Sequence, residues 1–215
     1  MLTLVLLGFL LGVRHAADPD HVIAVTAIVS RQKSLLRASL VGALWGLGHT
    51  VTLLAAGGAI IAFRVVVPAR LGLALEFVVA VMLVVLGIWT LRFRSGDDTR
   101  ATAPLSMGFR PLVVGVVHGL AGSAAVALLV LATIADTQWA LVYLLIFGLG
   151  TIAGMVAMTL AVSAPTLYLG ARFPVLHGRL RWVAGALSVG VGLLMMHRLG
   201  VTDGLFSADP RWTPQ

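Results

Sequence analysis

The chain contains no cysteine and only one glutamate among its 215 residues, and only 11 % of its residues are charged. The first absence excludes disulfides, iron–sulfur clusters and thiolate metal sites. The second leaves no paired-histidine motif with a general-base glutamate, so a zinc hydrolase of that kind is disfavoured. The third excludes an ordinary soluble surface, for which about 25 % charge is usual. What fills the sequence instead is hydrocarbon: 60 % of the residues are hydrophobic. Several apolar runs reach the ~20 residues that cross a bilayer.

Six spanning segments are expected, at about 2–30, 39–61, 71–91, 110–135, 139–163 and 182–199. The fold expected is an all-α integral membrane protein, with residues 1–215 forming one transporter domain. The first apolar run resembles the core of a signal peptide. It has no basic leader and no good small-x-small cleavage site, so it is read as a retained helix. Net charge is +7, and the charge falls in the connecting loops. Loops 31–38, 92–109 and 164–181 carry Arg31, Lys33, Arg37, Arg92, Arg94, Arg100, Arg172, Arg179 and Arg181, with Arg110 at the border of the second. The other side has Arg64, Arg70, Arg198 and Arg211. That imbalance fits orientation by positive loops, not nucleic-acid binding, and places both termini outside a cell (inner) membrane. The loop "RFRSGDDTR" (92–100) reads as exposed and mobile.

The first run is too long for one straight span, and "RHAADPDH" (14–21) lies inside it. Asp18-Pro19 reads as a helix restart, with Asp18 as N-cap and Pro19 at the first helical position. A faint internal repeat accompanies the break. "GVRH" (12–15) returns as "GVVH" (115–118) at an offset of 103, and "GLGHT" (46–50) as "GLGTI" (148–152) at an offset of 102. Residues 1–91 and 110–199 are thus expected to be two repeats. With three spans in each, they must insert in opposite orientations, a plan common in secondary transporters with a midplane site.

A charged side chain in hydrocarbon costs at least ~2.5 kcal/mol on insertion scales. Carboxylates and imidazoles there need compensation, and a bound divalent cation would provide it. Mixed nitrogen and oxygen ligands suit Ni²⁺, Co²⁺ or Zn²⁺. His15 and His21 are badly spaced for one helix face, but a break frees the backbone to turn both inward. The metal residues expected are therefore His15, Asp20, His21 and His49. The competing reading of the first cluster is an ion-paired kink, Arg14 with Asp18 or Asp20. For His49 in "GLGHT" it is hydrogen-bonded packing, with Gly46 and Gly48 allowing close helix approach.

Other residues belong to a wider circle. Asp18 is expected to cap the second half-helix, and Thr50 to supply a supporting hydrogen bond. Glu76 is either a carboxylate of the ion path or a snorkelling interfacial residue. His118 and Ser123, in "VHGLAGSAAV" (117–126), line either a transport path or a packing face. A Gly-Ser pair with distant membrane histidines also suggests an intramembrane serine protease, but no partner histidine for Ser123 is identifiable. Met155, Met158, Met195 and Met196 could offer thioethers to Cu⁺, but adaptable packing is the better reading.

"RHAADPDH" resembles the signature of the nickel/cobalt transporter family: a His, four residues, then Asp-His, here His15, Asp20 and His21. "LGHT" (47–50) resembles the family's second motif. "HGLAGSAAVALLVL" (118–131) and "GLGTIAGM" (148–155) look like a short branch of urease-accessory-type membrane permeases. Where larger members carry an acidic motif in the second half, this chain has none. The resemblance implies a multi-spanning permease, not an enzyme, that takes Ni²⁺ or Co²⁺ into the cytoplasm with the first motif's His and Asp as metal residues. The metal is then cargo, and no cofactor is expected. The expected partners are the lipid bilayer, the divalent ion and, in a homo-oligomer, further copies of the chain. The alternatives are an exporter of metal, a carrier of a small anion using Arg14, and a non-transporting membrane chaperone that hands metal to an enzyme such as urease.

Overall fold

A computed structural model describes residues 2–29, 32, 34–63, 67–92, 104–120, 134, 136–172 and 174–212. All regular structure among them is helical: α1 (Leu2–His15), α2 (Pro19–Val29), α3 (Leu35–Phe63), α4 (Ala69–Arg92), α5 (Pro104–Gly119), α6 (Thr137–Arg172) and α7 (Pro174–His197), with a π turn at Arg198–Thr202. Side chains punctuate these helices where backbone donors would otherwise be orphaned. The Ser34 hydroxyl accepts from the Arg37 amide at 3.3 Å, and Asp136 Oδ1 from the Gln138 amide at 2.8 Å. Both are N-caps.

The first run is broken where Pro19 requires it. The Ala17 and Asp18 amides donate three residues back, to the Arg14 and His15 carbonyls, at 2.9 and 3.1 Å. Pro19 lacks an N–H and opens α2, whose first bond runs from the Val22 amide to the Asp18 carbonyl at 3.0 Å. The two half-helices meet at 56°.

Among the described residues, four helices are long and apolar enough to cross a membrane, and the bent α1–α2 pair makes up to five. Of the fourth expected span, 110–135, the described part is essentially a short apolar helix, Phe109–Gly119. Ser123 and most of the loop at 92–100 lie outside the described residues, as do Arg31, Lys33, Arg64, Arg94 and Arg100. One boundary is corrected. The expected loop 164–181 is largely helix, because α6 runs on to Arg172 and α7 begins at Pro174. Arginine and leucine are good helix formers, so the helices outlast their apolar segments. Proline then serves as the first residue of α7.

The surface is apolar as well as the core. Leu6, Leu10, Val51, Val85, Leu145 and Leu187 are exposed, while Trp45, Tyr143, Phe147 and Met155 fill the interior. Soluble monomers rarely show such a surface, and lipid chains would cover it.

The helices pack in pairs. α1 lies on α6, α5 on α3, and α4 on α7. A β-carbon at Gly12 would sit 2.1 Å from the Phe147 carbonyl oxygen and 2.8 Å from the Thr151 nitrogen. At Gly115 it would sit 2.2 Å from the Trp45 carbonyl oxygen and 3.0 Å from the His49 nitrogen. These are the same contacts at the offsets of 103 and 102 seen in the sequence. Small residues let the backbones touch, which sets the depth at which both helix ends are held. Gly12→Ala is therefore expected to destabilise the protein by about 1–3 kcal/mol. A lower thermal midpoint in detergent than that of Gly58→Ala, whose added methyl meets nothing within 4 Å, is the check. Equal midpoints would refute it.

Candidate metal centre

α1 ends at His15, α2 begins beside Asp20 and His21, α3 passes with His49 at its middle, and α5 ends beside His118. The helix ends and α3 thus bring four imidazoles to one buried place. Their exposures are 5 % for His15 and 0 % for His21, His49 and His118. The ring centroid of His21 lies 4.7 Å from that of His15, 5.2 Å from that of His49 and 4.1 Å from that of His118.

The hydrogen bonds set a consistent pattern for neutral rings. His15 Nδ1–H donates to Asp18 Oδ2 at 2.9 Å. His15 Nε2 is then a bare acceptor and receives His49 Nε2–H, also at 2.9 Å. His21 Nδ1–H donates to Asp20 Oδ1 at 3.2 Å, and His118 Nε2–H to Asp20 Oδ2 at 2.9 Å. The remaining nitrogens, His21 Nε2, His49 Nδ1 and His118 Nδ1, are buried with no hydrogen-bond partner among the described residues. Buried polar atoms are normally satisfied, and these three imidazole nitrogens carry lone pairs that a metal ion could take up.

Two overlapping groups have the proximity of ligand sets. His15, His21 and His49 form one, and Asp20, His21 and His118 the other, each with its ligand atoms within 4.8 Å of one another. Ligands at about 2.0–2.1 Å from an ion are about 2.9 Å apart when at right angles. The two facing Nε2 atoms of His15 and His49 are 2.9 Å apart. To bind one ion together they need His49 to carry its proton on Nδ1 instead. Nitrogen with a carboxylate oxygen suits borderline divalent metals.

The structure thus brings together His15, Asp20, His21 and His49, and adds His118. Other expectations are corrected. The Asp18 carboxylate does not cap α2; it turns back to orient His15, the supporting role carboxylates often play beside metal-binding imidazoles. The ion-paired kink is not formed: Arg14 is exposed, and both aspartates are engaged by histidines. The Thr50 hydroxyl donates to the Gly148 carbonyl at 3.2 Å, tying α3 to α6 instead of supporting a ligand. Glu76 accepts from Trp212 Nε1 at 2.8 Å, so it anchors the C-terminal segment to α4. Met155 is core packing, as expected.

Two residues that the sequence reading passed over wall the centre. Phe147 lies 5.6 Å from His15, and Trp45 lies 5.7 Å from His118. The repeat offset of 102 relates these two aromatics and would have paired them.

Over 219 residues the chain is 37 % identical to the urease accessory protein UreH of Bacillus sp. (strain TB-90), covering 96 % of each. It belongs to the UreH family of urease accessory proteins. The chloroplast proteins FOR GROWTH AND FERTILITY 2 and 1 of Arabidopsis thaliana are 25 % and 26 % identical over 88 % and 86 % of this chain, which spans 55 % and 56 % of their lengths. No family model matches the chain, and no solved structure is significantly similar to it.

Proposed function

We propose that this membrane protein carries a divalent transition-metal ion, nickel or cobalt, into the cytoplasm through the histidine–aspartate centre. The observation that carries the reading is the cluster of unpartnered histidine nitrogens at the break of the first span. An ion there would exchange its hydration shell for imidazole and carboxylate. The break supplies the irregular backbone that transporters place at a midplane site. Lone pairs and two carboxylates speak against a small anion as cargo. The reading includes six spans, in two repeats related by an axis in the membrane plane, with both termini outside. The recurring glycine contacts support the repeat, and the loop arginines support the orientation.

Purified protein in proteoliposomes is expected to admit Ni²⁺ or Co²⁺ down a metal gradient. Efflux only would favour an exporter. A second reading, a membrane chaperone delivering metal to an enzyme, rests on the UreH relative being a urease accessory protein. Tight metal binding without flux would favour it. Binding is expected to weaken as pH falls from about 8 to 5, because protonated imidazole cannot ligate. Titration of the purified protein with Ni²⁺ at several pH values checks this; a pH-independent affinity would exclude histidine ligation.

A further inference from the structure

His118 is superfluous to a site made by His15, His21 and His49, yet it is fully buried in the same pocket. It is also the repeat counterpart of His15, at the offset of 103. Each of the two lies at the C-terminal end of its helix, α1 or α5, and rests beside the matching aromatic, Phe147 for His15 and Trp45 for His118. His21 lies between them and belongs to both ligand groups. Asp20 reaches His21 with one oxygen and His118 with the other.

We infer that the centre holds two alternative ion positions, His15/His21/His49 and Asp20/His21/His118, and that the ion passes between them by ligand exchange on His21. This rests on the transport reading above. His21 stays bound while His15 and His49 give way to Asp20 and His118, so the ion is never bare in hydrocarbon. Because the two positions share His21 and divide the other ligands between them, neither holds the ion with all of the centre's donors at once. Permeation needs binding that is weak and divided over several positions. Ni²⁺ and Co²⁺ suit such a path, since each accepts both ligand sets.

The absence of cysteine gives a clean probe. His15→Cys and His118→Cys each place a thiolate at one position only. Co²⁺ added to the full-length protein in nanodiscs is expected to produce a near-ultraviolet thiolate-to-cobalt charge-transfer band in both variants. Ser188→Cys, buried on α7 and bonded to the Leu83 carbonyl, is expected to give none. A band in His15→Cys alone would overturn the second position and leave the metal reading standing. Bands in neither would overturn both. His118→Gln keeps an amide N–H for Asp20 but is a poor ligand, and is expected to lower Co²⁺ flux at least about tenfold. Flux equal to the parent's would reduce His118 to a holder of Asp20 and overturn the relay.

Discussion

Replacing His21 with alanine is expected to abolish metal transport and to weaken Ni²⁺ binding by at least about 100-fold, more than the 10–100-fold typical of losing a supporting residue. His21 is the one residue common to both ligand groups, and it is wholly buried among the other three histidines. Because alanine also leaves a cavity, His21→Gln, of similar volume, should be measured beside it. Glu76→Gln is the contrast. Its carboxylate holds Trp212, and it belongs to neither ligand group, so its loss should leave Ni²⁺ affinity nearly intact. Parental affinity in both His21 variants would place the metal elsewhere and make the cluster a hydrogen-bonded core.

Asp20→Asn is expected to have a comparable effect for a different reason. Asparagine preserves size and can still accept hydrogen bonds, but it removes the carboxylate that bridges His21 and His118. A divalent ion among neutral imidazoles in a low-dielectric pocket would then be poorly compensated. At an effective dielectric of about 20, one carboxylate some 4 Å from a unit charge is worth roughly 4 kcal/mol before desolvation costs. A loss of affinity on the order of 1,000-fold follows. Asp18→Asn acts only through His15 and should cost about 10–100-fold. Calorimetric titration of the two variants decides the ranking. If Asp20→Asn binds as tightly as Asp18→Asn, charge compensation by Asp20 is not what holds the ion.

Much of this was legible before any fold was known, and the reasons are local. Composition alone marks a membrane protein, because apolar runs of this length have no soluble use. The break is legible because proline at position 19 lacks the N–H that a continuous helix needs. His15, Asp20 and His21 are legible because polar groups in hydrocarbon are costly and rarely idle. Helix ends were less legible, since α6 and α7 continue through residues that are charged yet helix-forming. The partner of Glu76 was illegible for a related reason: Trp212 is 136 residues away in a segment beyond the last expected span.

The sequence by itself determined an apolar, helical chain, a break at Asp18-Pro19, and a set of ionisable residues too costly to leave without partners. Tertiary structure alone decided which of them meet. His15, His49 and His118 sit on three different helices, and their convergence depends on how closely α1 approaches α6 and α5 approaches α3. Those distances are set where glycines face backbone carbonyls, at Gly12 and Gly115. Hydrophobic periodicity carries no record of that contact. Such a contact needs a second helix to exist, so the neighbours of His118 could not be read until the helices were packed.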